Sequence, residues 1–327
     1  MKTAEFVTPK HPDKMCDQIS DAIVDFFIGK DKDARIAVEA MGGHGYVFIA
    51  GEITDKTIMT QAKTEEIIRN IIRDIVEEDV IVRFALSKQS SEISRGVDIG
   101  GAGDQGIMRG YAVDDTESLM PYEYEMARSL CKFLYERHPY DGKVQVTTDD
   151  EMNIKTVVVS FQHVLKHDLR RAVIKWLLGN KIDSNALLLN INPAGDWTIG
   201  GFDADTGLTG RKLVVDNYGP RFAIGGGAFS GKDPTKVDRS AAYMARRVAI
   251  DVLREHKAKE VMVELAYAIG VPEPVDSSVI MDGKKYCINK GRYDLTPRGI
   301  IDELKLKEQK YEETAKWGHF GNGFIWG

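Results

Sequence analysis

The sequence predicts a mixed α/β fold of two or three domains, and three observations support this. At 327 residues the chain exceeds one ordinary domain and can bury an ample core. Short β-branched runs such as VQVTT and TVVVSFQH read as strands. Between them lie longer segments with apolar residues at helical spacing. The composition, 43% hydrophobic and 29% charged, is that of a globular protein.

Taken in order, TAEFV reads as a short strand, and His11-Pro12-Asp13-Lys14 opens a helix with Met15, Ile19, Ile23 and Phe26 on one face. Residues 34–40 and 45–53 alternate like paired strands, with a turn expected at Gly42-Gly43. Residues 64–78 form an amphipathic helix. The glycine-rich, polar stretch from Ser87 to Gly106 cannot build a core and is expected to be a mobile lid, with Gln89 and Asp104 as its best ligand contacts. A helix follows Pro121, and strands are expected at VQVTT, which Lys143 introduces, and at 156–163. Residues 167–179 read as an amphipathic helix, ALLLNIN (186–192) leads into Pro193, and 259–270 and 296–306 read as a strand and a capped helix. His163 and His167 have i, i+4 spacing, but the strand is expected to end between them, so a zinc pair is set aside.

The net charge of −6 argues against a nucleic-acid binder, so clustered lysines are local features suited to a small polyanion. No apolar run reaches membrane-span length and the N-terminus lacks an apolar signal core, which points to a cytoplasmic protein. The isolated cysteines Cys16, Cys131 and Cys287 are expected to be small buried apolar residues.

The chemistry concentrates in GGGAFSGKDPTKVDRS (225–240). Its glycines let backbone N–H groups approach a ligand, and Asp233-Pro234 looks like a helix start that puts Lys236 in the first turn. A helix N-terminus with Lys232 and Lys236 would make an anion site. Gly226, Gly231 and Lys232 match a phosphate loop until Asp233 replaces its hydroxyl residue, so a P-loop is not expected. His11 and Asp13 either cap a helix or face a ligand, Asp13 then holding a cation. Arg211 and Lys212 suit phosphate oxygens. Glu39 and Glu52 lie near strand ends, either solvent-exposed or partnered. Trp197 is either core or a base-stacking platform.

HPDK (11–14), GAGDQG (101–106), GLTGRK (207–212) and GGGAFSGKD (225–233), joined by INPAGDWTIGG, KVDRSAAY, YAIGV and GHFG, resemble the S-adenosylmethionine synthetases of the bacterial and eukaryotic type. The resemblance implies a methionine adenosyltransferase: the sulfur of L-methionine attacks C5′ of ATP, and the expelled triphosphate is cleaved to pyrophosphate and phosphate. It implies three similar α/β domains about a pseudo-threefold axis, partly interleaved: residues 1–86, a lid at 87–106, a central domain at 107–198 and a C-terminal domain at 199–327. It further implies two Mg²⁺, on Asp13 and Asp238, and a K⁺ near Glu39. His11, Lys143, Arg211, Lys212, Lys232 and Lys236 would surround the triphosphate, His11 acting on the transferring oxygen. Glu5, Glu52, Gln89, Asp104 and Asp205 would hold methionine and the ribose, and Trp197 would stack on adenine. A homodimer with active sites at the interface is the least assembly expected, and many members pair dimers into tetramers. Three departures stand out: Lys10 before HPDK, expected to add charge beside the phosphates, a short lid, and a compact 275–295 lacking a helix.

Overall fold

The computed structural model describes residues 1–57, 59–88, 100–289 and 291–327. Its elements repeat one pattern three times: a lone strand, a long helix, a two-stranded hairpin, and a further strand.

The first unit runs β1 (Lys2–Val7), α1 (Pro12–Lys30), β2 (Arg35–Gly43), β3 (Tyr46–Thr54), α2 (Gln61–Val76) and β4 (Ile81–Ser87). The second runs β5 (Gly106–Val113), α3 (Tyr122–Tyr135), β6 (Gly142–Thr148), β7 (Ile154–Phe161), α4 (Lys166–Gly179) and β8 (Leu188–Ile191). The third begins with the two-residue β9 (Gly207–Leu208) and the one-turn α5 (Leu213–Asp216) before α6 (Val237–His256), β10 (Glu260–Tyr267), β11 (Asp276–Met281) and β12 (Lys284–Cys287). Two short helices, α7 (Pro297–Glu303) and α8 (Tyr311–Lys316), follow.

In the first two units a crossover helix makes the last strand parallel to its neighbour, β3 to β4 and β7 to β8. In the third the compact segment makes a plain antiparallel hairpin, β11 to β12, with no helix between.

Each sheet has four strands, ordered β4-β3-β2-β9, β1-β6-β7-β8 and β12-β11-β10-β5. The lone strand of each unit leaves its own sheet and pairs antiparallel in the next one: β1 with β6, β5 with β10, and β9 with β2. The three long helices cover the sheets, α1 on β2, α3 on β1 and β6, and α6 on β5 and β10. With both strands and other helices packed against them, α1 and α6 bury residues almost all round, charged ones included.

Several details differ from expectation. The first hairpin turns at His44-Gly45, where φ is +51° and +79°, two residues beyond Gly42-Gly43. Strand β5 has no counterpart in the sequence reading. Cys16 and Cys131 are buried, but Cys287 is exposed at the end of edge strand β12. Most importantly, α6 begins at Val237 with Lys236 at its cap, so Asp233-Pro234 does not start the helix.

Candidate active site

The site is built from the start of α1. Pro12 needs no backbone donor at the first helical position, and His11 before it is extended, at φ −62° and ψ 137°. Its Nδ1 accepts the Asp13 N–H at 3.2 Å. An accepting Nδ1 leaves the ring proton of the neutral imidazole on Nε2, free to donate. Burial, then the charges of Lys212 and Lys143, push the His11 pKa down to about 3.

Asp13 is buried and fully engaged: Oδ1 accepts Leu208 N–H at 2.9 Å, and Oδ2 pairs with Lys212 Nζ at 2.5 Å. Burial raises its pKa, but Lys212 and the Leu208 N–H outweigh that and hold it below the usual range. Arg211 Nε approaches the same carboxylate at 3.4 Å. The 207–212 loop reaches α1 through glycine: a Cβ on Gly207 would lie 2.2 Å from the Pro12 carbonyl oxygen. Gly210 donates its N–H to Asp17 Oδ1 at 2.8 Å, and Thr209 Oγ1 lies 2.7 Å from Ser20 Oγ.

The glycine-rich stretch 225–233 lies beside this loop; a Cβ on Gly210 would sit 2.6 Å from that of Ala228. Residues 231–233 run antiparallel along β2, with Val38 N–H donating to Gly231 O at 3.0 Å and Asp233 N–H to Ile36 O at 3.1 Å. Asp233, expected as a helix cap, instead accepts from Ile36 N–H at 2.7 Å, Thr235 N–H at 2.8 Å and Lys236 Nζ at 2.6 Å. A long-range partner on β2 therefore overrides the local capping signal. Lys232 Nζ pairs with Asp238 Oδ2 at 2.5 Å, and Gly227 N–H donates to Asp238 Oδ1 at 3.0 Å. A cleft of about 510 Å³ opens here, lined by Ala37, Glu39, Ala50, Gly227 and Lys232 among others.

The other expected residues fall at different places. Glu5, exposed on β1, shares a shallow cleft of about 300 Å³ with Arg211 and Lys212. Lys143, the second residue of β6, lies opposite Val7, near enough for its charge to act on His11. Asp205 is exposed and acts electrostatically on buried Asp141, which holds the Gly201 N–H at 3.1 Å. Glu52 is half-buried on β3 opposite Ala37, and Trp197 is half-buried with its carbonyl accepting from His163 N–H at 2.9 Å. Asp104 is exposed and accepts its neighbour's N–H at 2.7 Å. Gln89 and residues 89–99 of the expected lid lie outside the described residues. Lys10 does not join the basic cluster: its Nζ binds Glu77 at 2.8 Å and the Ile75 carbonyl at 3.1 Å, at the end of α2.

The sequence reading missed the buried acids that hold this frame, Asp17, Asp21 and Asp141. A signal was available for two of them, since Asp17 and Asp21 follow Asp13 at four-residue steps on one helix.

Profiles of the S-adenosylmethionine synthetase N-terminal, central and C-terminal domains match residues 1–95, 99–197 and 199–327 in turn. The chain belongs to the S-adenosylmethionine synthetase family. Proteins named S-adenosylmethionine synthase from Nitratiruptor sp. and Salinibacter ruber are each 42% identical to it, over 98% of this chain and 92% of theirs. A solved structure described as an unusual S-adenosylmethionine synthetase from Campylobacter jejuni superposes with a TM-score of 0.87 at 33% identity, covering 99% of this chain and 96% of that one. The three-unit α/β architecture is thus that of the synthetases.

Proposed function

We propose that this chain is a methionine adenosyltransferase that makes S-adenosylmethionine from ATP and L-methionine. The observation that carries this is the gathering of His11, Arg211 and Lys212 around Asp13 at the start of α1, with the glycine loop that carries Lys232 adjoining theirs, in a chain that spans all three synthetase domains.

The reaction forms a sulfur–C5′ bond and breaks the bond from C5′ to the triphosphate oxygen, so the chemical demand is to stabilise a departing polyanion. Lys143, Arg211, Lys212, Lys232 and Lys236 supply positive charge, and His11 donates from Nε2 to the leaving oxygen. A phosphate oxygen leaves as a stable anion, so a neutral imidazole that donates a hydrogen bond without transferring its proton suits the step. The same cations then hold the triphosphate while water cleaves it to pyrophosphate and phosphate. Glu5, Glu52, Gln89, Asp104 and Asp205 are assigned to methionine and the ribose, and Trp197 to the adenine face.

The acidic groups suit metal bound jointly with substrate. Among the described residues no three His, Cys, Asp or Glu side chains gather into a metal cage. Asp13 and Asp238 each offer one carboxylate beside lysines, a set that fits Mg²⁺ sharing its shell with phosphate oxygens. Two Mg²⁺ are assigned to them, and K⁺ to Glu39 in the neighbouring cleft. Bound there, the cations would neutralise charge on the triphosphate.

A homodimer is supported by the outer face of the sheet carrying β2–β4, where Met41, Tyr46, Phe48 and Ile81 are 40–48% exposed. Glu39 lies on that face, so a second copy packed there would bring the cleft to the interface. The test is turnover: purified protein with ATP, methionine, Mg²⁺ and K⁺ should yield S-adenosylmethionine, pyrophosphate and phosphate. Absence of S-adenosylmethionine from folded protein overturns the reading.

A further inference from the structure

Helix α1 carries aspartates at four-residue intervals, Asp13, Asp17, Asp21 and Asp25, along about 18 Å of axis. Each accepts backbone N–H groups from the stretch between Leu208 and Glu312. Asp13 takes Leu208 at 2.9 Å, Asp17 takes Gly210 at 2.8 Å, Asp21 takes Gly231 at 2.9 Å, and Asp25 takes Tyr311 at 2.8 Å and Glu312 at 3.0 Å.

The two middle rungs are alike in detail. Gly210 and Gly231 are both left-handed, at φ +81° and +82°. Each is followed by basic residues, Arg211-Lys212 in one loop and Lys232 in the other. Each rung is braced by an internal cation: Lys14 Nζ lies 3.1 Å from Asp17 Oδ2, and Arg239 Nη2 lies 2.6 Å from Asp21 Oδ1. Asp17, Asp21, Lys14 and Arg239 are all completely buried, so none of them touches a ligand in the cleft.

We infer that Asp17 and Asp21 are positioning residues that set the spacing of the two basic loops, so that Arg211-Lys212 and Lys232 meet one polyphosphate at once. The helix is the ruler: one turn of α1 separates the rungs, and each rung fixes the backbone N–H immediately before a cationic side chain. Displacing either glycine would swing its cations away from the phosphates while leaving the methionine residues in place. The inference rests on the proposed reaction for the identity of the ligand.

The test compares Asp17→Ala, Asp21→Ala and Asp25→Ala in the full chain, reading ATP affinity by calorimetry without methionine, KM for both substrates, and melting temperature. Asp17→Ala and Asp21→Ala should weaken ATP binding at least tenfold and raise the ATP KM, with the methionine KM within twofold. Asp25→Ala, whose rung holds Tyr311 and Glu312 and no basic loop, should lose stability but keep ATP affinity within twofold. Asp17→Asn, which retains an acceptor for Gly210, should recover part of the affinity. If an alanine variant does not fold, Thr209→Val, which removes the hydroxyl contact to Ser20, should reproduce the ATP defect. Equal ATP affinity across Asp17, Asp21 and Asp25 variants, or unchanged affinity in Thr209→Val and Asp17→Asn, overturns the inference. A wild-type protein that binds ATP but makes no S-adenosylmethionine instead removes the proposed function and leaves the rungs to be judged on binding alone.

Discussion

Replacing Gly231 by alanine should disable the enzyme through its backbone alone. At φ +82° an L-residue carries about 1–2 kcal/mol of strain. The added Cβ would lie 1.9 Å from the Val38 carbonyl oxygen, whereas real Cβ contacts essentially never fall under 3.0 Å, so the two strands must part by at least 1.1 Å, the difference. That movement loosens the Val38–Gly231 and Asp233–Ile36 backbone bonds, each worth roughly 1 kcal/mol. The expected loss is therefore about 3–4 kcal/mol by urea unfolding. Because Lys232 moves with Gly231, turnover should drop on the order of 100-fold, as expected for a displacement of about 1 Å. Gly283→Ala is the control, at φ +79° with no atom within 4 Å of the added Cβ. It should show the strain alone, about 1–2 kcal/mol, with normal turnover. Gly231→Ala within threefold of wild-type activity, and no less stable than Gly283→Ala, would refute the close-approach account.

Lys10→Ala should cost about 1 kcal/mol by removing the Glu77 and Ile75 contacts, with ATP KM unchanged; a fivefold rise in KM would return Lys10 to the phosphate site. Phe48→Glu should give a species at the 36.5 kDa chain mass in light scattering where wild type gives at least twice that, and a wild-type monomer would sink the dimer assignment. His319 is fully buried beside Tyr243, and burial, then Lys14 and Arg239, hold its pKa well below the ordinary 6.5. The unfolded chain takes up that proton near pH 6.5 and the native state does not, so this contribution is present above pH 6.5 and falls as pH drops below it. Nearby Asp216, raised to about 7 by burial, titrates with the opposite sign, so the comparison is with His319→Gln. Wild-type stability relative to that variant should fall by roughly 1 kcal/mol per pH unit below 6.5, and parallel profiles would show that His319 is not held neutral.

What was legible in the sequence was local. His11-Pro12-Asp13 uses a cap, a proline and a first-turn acid, all within three residues, and the structure places them as read. Asp233-Pro234 carries an equally good local signal and was misread, because Asp233 answers to Ile36, nearly 200 residues away. Strand β5 escaped notice because its glycines weaken the strand pattern; a Cβ on Gly110 would lie 2.1 Å from the Ala245 backbone, so α6 demands that glycine. Cys287 is exposed because the compact third unit ends in a hairpin edge where the others have a crossover helix and a parallel strand. The basic side chains were found by type; the four-residue spacing of Asp13, Asp17 and Asp21 was there to be read, but their partners Gly210 and Gly231 lie far along the chain, where no local pattern displays them.

The strand that each unit hands to the next forms a closed circuit, since the third unit donates β9 back to the first. A ribosome makes this chain from one end, so the sheet holding β2 to β4 keeps a bare edge on β2 until Leu208 has emerged to pair with Met41. Likewise β1 waits for Lys143 to Thr148 before it has a partner. The native topology is thus reached late and by contacts about 150 residues apart, which slows folding and makes excision of any one unit leave an unpaired edge open to other chains. A nick between units should be tolerated far better than the loss of one, because the pieces remain threaded through each other's sheets.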